Sequence, residues 1–322
     1  MSITKFPNGV SSFGIPVMGS GSIPAMFGKV FFVDYRNGLD GNGGKTKDDA
    51  LKTLSAAYAK CTSNNNDVIL IDGDSEVQED GKLTWAKNRI HVVGLGSGMF
   101  HAQRSRIATT ATGTAAAVDC TIEVSGTGNS FENLKIVNTG TDAASLACLI
   151  DAGEANTYIN CSFMKLSDLA EASVSDAVLR GDSSTFIACE FGADTVLQAA
   201  ARATVRFLNS GTTKCKHLLM RDCQFTCSSS NSDKAFMLVG HTSALQFSNL
   251  IVNPIFTCAL VGSISAATLD NAIDSVSGLL EGNLLVINPA TNTTAVCATV
   301  TDQIQVVGPL THVDAGAPQT PA

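Results

Sequence analysis

Apolar and polar positions recur in a six-residue block through the middle of the chain. The block starts with a large apolar residue, has Asn, Asp or Ala at its third position and ends with an apolar residue. Its five copies are Phe131–Ile136, Tyr158–Phe163, Phe186–Phe191, Met220–Phe225 and Phe247–Val252. Their third positions are 27, 28, 34 and 27 residues apart. A repeat of this length predicts stacked supersecondary units, none of which can bury its apolar face alone.

A second apolar segment precedes each block and predicts another strand in the same unit. These segments are Cys120–Val124, Cys148–Asp151, Ala177–Arg180, Thr204–Leu208 and Ala235–Val239. Short polar turns link the two strands, and the repeats lack the three- and four-residue spacing of a helix. Because a unit of this length is too short for a propeller blade, we predict the coils of a β-solenoid over 105–256.

Stacking the units would align equivalent block positions in columns. The first position would form an internal apolar column. The third would form a polar ladder at a turn, because Asn tolerates left-handed backbone and its side chain can bond along the stack. We interpret this ladder as structural. Its members are Asn133, Asn160, Asp222 and Asn249, and Ala188 interrupts it.

The segment before the repeat predicts the start of the solenoid over residues 29–104. Lys29–Asp34 has the apolar character of a strand, and the spacing of apolar residues predicts a capping helix over Asp48–Cys61. Three more strands follow, broken by turns: Val68–Asp72, Lys82–Ala86 and Arg89–Gly94.

Both ends of the chain lack the period. Residues 1–28 predict an extended arm that is either disordered or ordered by contact with a partner. Residues 257–313 predict a C-terminal β module that covers the last coil, with a short helix or a crossing segment at 271–280. Residues 314–322 contain Gly and two prolines and predict a flexible tail.

Composition restricts the classes of function. Charged residues make up only 16% of the 322 residues, which favours a structure or assembly that buries much of its surface. The net charge of −8 argues against a broad basic face for nucleic acid. The N-terminus has no apolar signal-peptide core, and no apolar run has the length of a membrane span. We therefore expect synthesis in a cytoplasm, without nucleic-acid or membrane partners.

The 10 cysteines are expected to be reduced in that compartment. Cys161, Cys189 and Cys223 share the fourth block position, which indicates a column of small buried residues. A metal site would use Cys215, His217, Cys223 and Cys227, but their spacing matches no usual zinc pattern. We expect neither a metal nor another cofactor.

Residues 29–100 resemble the start of the pectate-lyase-like right-handed parallel β-helix proteins. The resemblance rests on Phe31–Thr46, the predicted helix around Ala50–Tyr58 and the strand Val68–Asp74. It implies an all-β, right-handed parallel β-helix with an N-terminal capping helix. Because one fold serves many functions, it does not by itself imply an activity.

The N-terminal segment Ile3–Gly19 resembles the arm of structural proteins from tailed bacteriophages. This second resemblance implies a virion protein, and phage β-helices are commonly trimeric.

Carboxylates that could support catalysis are sparse in the repeat. Pectate-lyase-like enzymes cluster Asp or Glu around calcium with a Lys or Arg base, and hydrolases of this fold place paired carboxylates on adjacent coils. Here Asp151, Asp182, Glu190 and Asp222 occupy different positions of their coils. The densest acidic segment, Asp72–Asp80, predicts either a cation site or a solvated turn.

We therefore expect a non-enzymatic virion protein: a homotrimeric capsid decoration, or cement, protein on the capsid surface, made in the host bacterial cytoplasm. The arm would bind the major capsid protein through Phe6, Phe13, Ile15 and Phe27. The alternative is a tail spike or fibre module that binds or cleaves a host surface polysaccharide, as a lyase or hydrolase would.

Overall fold

A computed structural model gives the conformation of most of the chain. The described residues are 11–12, 15–16, 28–73, 76–96, 98–109, 119–141, 144–167, 173–198, 203–211, 213–229, 235–260, 271–275, 282–287, 290–291, 295–297 and 304–307. They form a solenoid whose strands pair in parallel in three long sheets, as the repeat predicts. Successive coils supply successive strands of each sheet, so residues at equivalent coil positions lie above one another.

Sheet 1 has 11 strands. They are Val30–Val33, Asp67–Ile71, Ile90–Gly94, Ser130–Glu132, Thr157–Ile159, Thr185–Ile187, Cys215–Lys216, Leu219–Arg221, Leu245–Val252, Gly282–Ile287 and Ile304–Val307.

Sheet 2 has nine strands and sheet 3 has eight. The strands of sheet 2 are Glu76–Glu79, Arg106–Thr109, Lys135–Asn138, Ser162–Lys165, Glu190–Phe191, Leu197–Gln198, Gln224–Ser229, Ile255–Leu260 and Ala290–Thr291. The strands of sheet 3 are Leu83–Trp85, Cys120–Val124, Ala147–Asp151, Ala177–Leu179, Val205–Phe207, Met237–Val239, Asn271–Ser275 and Ala295–Cys297.

Each repeated block is a corner rather than a single strand. In the first block, Ser130–Glu132 of sheet 1 ends, Asn133 has a φ of 55°, and Lys135–Asn138 begins in sheet 2. A residue in the left-handed region redirects the chain from one sheet to the next. The corner residues of the next three coils also have positive φ: Asn160 (50°), Ala188 (50°) and Asp222 (56°).

The fifth block lies four residues later than the sequence pattern suggests. Met220 pairs with Ile251 across sheet 1, so the true copy starts at Ile251 and its corner residue is Asn253, with a φ of 51°. The assignments of Phe247 to the internal column and of Asn249 to the corner were therefore wrong. The eight-residue strand Leu245–Val252 contains an earlier run of similar residue types, which imitates the block.

Aromatic columns fill the interior of the solenoid. The ring centroids of Phe131 and Tyr158 are 5.3 Å apart, and those of Tyr158 and Phe186 are 4.5 Å apart, with nearly parallel planes. A second column stacks Phe191 on Phe225 at 5.2 Å. These rings are fully buried, and each one removes a large apolar area from water.

The capping helix is shorter than its pattern predicts. It spans Leu54–Lys60, and the side chain of Thr53 accepts a hydrogen bond from the Ala56 amide at its N-terminus. The residues before it leave the helical pattern because Leu51 forms a β-bridge with Val33, and a separate 3-10 turn occupies Lys47–Asp49. Leu54 packs into the core, so the helix covers the first coils. A second 3-10 turn is Phe100–Ala102.

The strands beyond residue 256 continue the same three sheets. Leu250 pairs with Leu285 in sheet 1, and Met237 pairs with Ile273 in sheet 3. The C-terminal β segment thus extends the solenoid. Residues 271–280, for which the sequence predicts either a short helix or a crossing segment, contain the strand Asn271–Ser275. The tail 314–322 lies outside the described residues. No helix in the described part of the chain is long and apolar enough to span a bilayer.

Candidate functional site

The corner between sheets 1 and 2 contains most of the predicted polar ladder. Asn160 Nδ2 donates to Asn133 Oδ1 at 2.8 Å, and Asn253 Nδ2 donates to Asp222 Oδ1 at 2.9 Å. Ala188 lies between these two pairs and has no side-chain amide to join them. The side chains bond to one another across coils, which is a structural arrangement.

A buried polar ladder, which the sequence analysis missed, lies at the corner between sheets 3 and 1. Asn129 Oδ1 accepts from the Ile90 amide, Asn156 Oδ1 accepts from the Asn129 amide, and Asn249 Oδ1 accepts from the Leu218 amide. Each Asn satisfies a backbone donor of the preceding coil that burial would otherwise leave costly. The sequence contains a signal for this second ladder, because each of these Asn residues stands two positions before the buried first residue of its block.

Asp151 lies beside this ladder, inside the core. It is 1% exposed, and its carboxylate accepts hydrogen bonds from the Tyr158 hydroxyl at 3.1 Å, the Asn156 amide at 3.3 Å and the Ser184 hydroxyl. Burial raises the pKa of Asp151 to about 6, although these hydrogen bonds lower it. The group has no path to a substrate, so its role is structural.

The cysteine column is structural as well. The Cys161 thiol donates to the Phe131 carbonyl at 3.2 Å, and the Cys189 thiol donates to the Tyr158 carbonyl at 3.4 Å. Burial raises the pKa of the Cys189 and Cys223 thiols well above the usual value. In the described part of the chain, no three His, Cys, Asp or Glu side chains are close enough to hold a metal ion.

Two described acidic residues of the segment 72–80, Asp72 and Glu79, have separate partners. Glu79 is 2% exposed, and its Oε1 accepts from the Leu54 amide at 2.7 Å at the start of the capping helix. Asp72 forms an ion pair of 3.2 Å with Lys47. These contacts hold the helix and the preceding loop on the first coils.

Glu190 lies on the outer face of sheet 2 but is fully buried. Burial raises its pKa to about 7, while a hydrogen bond from Ser162 and the charge of Lys135 lower it. The Ser162 hydroxyl donates to Glu190 Oε2 at 3.1 Å.

Little is described of the four residues assigned to the arm. Ile15 begins the two-residue strand Ile15–Pro16, which pairs antiparallel with Ser11–Ser12. Phe6, Phe13 and Phe27 lie outside the described residues.

An open groove follows the solenoid axis along the turns between sheets 3 and 1; we call it the corner groove. Its volume is about 290 Å³. Parallel bridges align Thr127, Glu154, Asp182 and Lys216, so the groove crosses four successive coils. Its full lining is Ser125, Thr127, Ala152, Gly153, Glu154, Arg180, Asp182, Thr213, Lys214 and Lys216.

Ion pairs balance most of the charge in the corner groove. Lys216 Nζ is 3.3 Å from Asp182 Oδ2, and the Arg180 guanidinium is 3.0 Å from Glu123 Oε1. Desolvation raises the pKa of Asp182, but hydrogen bonds from Ser183, His217 and Lys216 outweigh it and hold the pKa below its usual value. Asp182 is therefore ionised at neutral pH and cannot serve as a general acid.

The described carboxyls with raised pKa values are all buried. They are Glu79, Glu132, Asp151 and Glu190, with side chains at most 6% exposed. Glycoside hydrolysis needs a protonated acid and a second carboxylate on either side of the scissile bond. The described surface provides binding groups without such a pair.

Comparisons with known proteins identify the fold. No protein-family model matches the sequence, and no curated protein sequence matches it. Among solved structures, pectate lyase Pel9A is similar over 91% of this chain and 78% of its own, with a TM-score of 0.57 and 12% identity.

Two further structures have the same architecture. A rhamnogalacturonan lyase is similar over 87% of this chain and 73% of its own, with a TM-score of 0.57 and 11% identity. The pectin methylesterase from Aspergillus niger is similar over 91% of this chain and 90% of its own, with a TM-score of 0.52 and 13% identity. At these identities the similarity concerns the fold alone. The chain is an all-β, right-handed parallel β-helix of the pectate-lyase-like type.

Proposed function

We propose that the chain is a non-enzymatic structural protein of a tailed-bacteriophage virion: a homotrimeric decoration (cement) protein that binds the major capsid protein and stabilises the head. The observation that carries the proposal is an apolar stripe on the outer face of sheet 1. Ile159 pairs with Ile187 in the next coil, and Val252 pairs with Ile287 further along the same register. Arg221, whose side chain is 51% exposed, stands between the two pairs. The four apolar side chains are all partly exposed.

A parallel column widens this stripe. Leu219, Leu250 and Leu285 lie in register on the same outer face and are also partly exposed. A contiguous apolar patch on a soluble protein usually marks a surface that packs against another molecule. Copies of this chain are the partners that fit best, because a largely apolar sheet face suits three β-helices packed around a common axis. The charge of Arg221 within the stripe is paired with Asp222 at 3.7 Å.

The N-terminal segment is the proposed attachment to the capsid. Its sequence resembles the arms of tailed-phage structural proteins, and Phe6, Phe13, Ile15 and Phe27 would supply the apolar contacts. Three arms on one trimer would raise the overall affinity without any new type of contact, because the second and third arms bind at high effective concentration.

The second candidate is a tail spike or fibre module that acts on a host surface polysaccharide. The solved structures of similar fold include a pectate lyase and a rhamnogalacturonan lyase, whose names denote polysaccharide substrates. A cleaving form would need an accessible acid and base, and the described acids with raised pKa values are buried. A binding form has a physical basis in the corner groove.

Two variants of the sheet faces test the trimer. Ile187→Asp places a charge in the apolar stripe, and Ile255→Asp places the same charge on sheet 2, where Ile255 is 48% exposed. Light scattering should give three times the 33.4 kDa chain mass for the wild type and for Ile255→Asp, but a single chain mass for Ile187→Asp. A monomeric wild type would refute the trimer.

Deletion of residues 2–25 tests the arm. The truncated protein should keep the circular dichroism spectrum and the trimeric state of the full-length protein, yet fail to co-sediment with capsids that lack the protein. Binding of the truncated trimer to capsids with undiminished affinity would show that the arm is not the attachment.

A further inference from the structure

Glu132 places a carboxyl group in the apolar stripe on the outer face of sheet 1. It pairs with Val93 in the preceding coil and with Ile159 in the next coil, so it continues the column of Ile159 and Ile187. Only 6% of Glu132 is exposed. Arg221, three coils further along the same column, is too distant to form an ion pair with it in the same chain. The stripe therefore contains a buried acid.

The Glu132 carboxyl differs from the other buried acids in its surroundings. The carboxyls of Glu79, Asp151 and Glu190 all accept hydrogen bonds that favour their charged forms. For Glu132, burial alone raises the pKa above 4.5, and neither a hydrogen bond nor a neighbouring charge in the described part of the chain lowers it again. A carboxylate is costly to bury without a partner, and protonation removes that cost.

The other described ionisable groups near Glu132 do not reproduce its response to pH. His91 lies in the neighbouring outward column, with Nδ1 2.8 Å from Ser130 Oγ, and burial lowers its pKa. Deeper burial of His91 would therefore weaken association as the pH falls, which is the opposite of the effect of a buried acid. Arg221 stays charged at every pH of interest. Arg104, in the corner loop of the preceding coil, is exposed and does not shift the pKa of Glu132.

We propose that protonation of Glu132 controls assembly of the trimer: the chains associate when this carboxyl is neutral and separate when it is ionised. The inference rests on the trimer proposed above. Threefold symmetry places the three copies of Glu132 at the same height along the common axis. Packing of the stripe would remove the remaining contact of each carboxyl with water and would bring like charges towards one another if all three were ionised.

The sign of the effect follows from this burial. Assembly raises the pKa of Glu132 further, because desolvation and like charge both disfavour the ionised form. Each chain then takes up a proton as the trimer forms. The contribution of Glu132 to trimer stability is complete below the pKa that it has in the single chain, and it is lost as the pH rises through the higher pKa that it has in the trimer.

Sedimentation of the full-length protein at constant ionic strength tests this control. The concentration at which half of the wild-type chains are trimeric should rise at least about tenfold between about pH 6 and pH 8. Glu132→Gln is neutral at both pH values and should trimerise at the higher pH as tightly as the wild type does at the lower. Glu154→Gln removes the same charge from an exposed turn between sheets 3 and 1. This matched control should keep the pH dependence of the wild type.

Proton release on dilution tests the same inference with the wild type alone. Calorimetric dilution of the trimer in two buffers of different ionisation enthalpy should release about one proton per chain at a pH between the two pKa values of Glu132. A trimer that dissociates without releasing protons, or a Glu132→Gln protein with the pH dependence of the wild type, would overturn the role of Glu132 and leave the trimer standing. A wild type that is monomeric at both pH values would refute the trimer, and this inference with it.

Discussion

Replacement of Asp151 by Asn tests how ionisation inside the core affects stability. Asp151 is buried among hydrogen-bond donors from Tyr158, Asn156 and Ser184. Its pKa rises from 3.8 to about 6, chiefly because burial disfavours the charged form. The native protein therefore releases this proton at a higher pH than the unfolded chain does.

The size of the effect follows from this pKa shift. The change from 3.8 to about 6 corresponds to about 3 kcal/mol, at ~1.4 kcal/mol for each pKa unit. Below pH 3.8 the carboxyl is neutral in both states and makes its full contribution to stability, which is lost as the pH rises through about 6. By the proton-linkage relation, about 1 kcal/mol of this stability is lost below roughly pH 4.5, and about 2 kcal/mol is lost between roughly pH 4.5 and pH 7.5.

Urea unfolding at a fixed protein concentration measures this loss. Asp151→Asn keeps the side chain's size and one acceptor oxygen, but it removes the ionisation. Relative to the wild type, its free energy of unfolding should rise by about 2 kcal/mol between roughly pH 4.5 and pH 7.5. Leu179→Val, at the paired position of the next coil, is the control, because it alters packing without a titratable group.

A pH-independent difference between Asp151→Asn and the wild type would refute this reasoning. A free energy of unfolding of Asp151→Asn that falls relative to that of the wild type as the pH rises would refute it too, because either result would mean that folding does not raise the pKa of Asp151. The control should show a constant offset at every pH.

Other predictions concern the columns of the solenoid. Phe186→Ala should lower the free energy of unfolding by about 3–5 kcal/mol. A decrease no larger than that caused by a substitution at an exposed position would contradict the stacked core. Ala188→Asn should raise it by about 1 kcal/mol, because Asn tolerates the left-handed corner better than Ala does; a loss would contradict the ladder. Asn156→Ala should cost about 2 kcal/mol, and the exposed Asn253→Ala clearly less, as urea unfolding would measure. A thiol reagent should leave Cys189 unmodified until urea unfolds the protein; rapid native labelling would contradict its burial.

The repeat allowed the fold to be predicted because a solenoid imposes the same environment once per coil. The aromatic column at Phe131, Tyr158 and Phe186 and the left-handed corner at Asn133 both follow from the period. The fifth copy could not be placed, because Phe247 begins a run of the same residue types four residues before the true corner.

The candidate site could not be predicted from the sequence. Asp182, His217 and Phe247 are 35 and 30 residues apart, and only the pairing of successive coils brings them together. The period also gave no warning that Asp151 faces the core, because the equivalent positions in adjacent coils, Val124 and Leu179, are apolar.

The central proposal is tested most directly by an electron cryomicroscopy map of the virion whose genome encodes this chain. We expect threefold-symmetric β-helix density on the outer surface of the head, with residues 1–28 in contact with the major capsid protein. Density for the chain on the tail, or a purified particle without the chain, would contradict it.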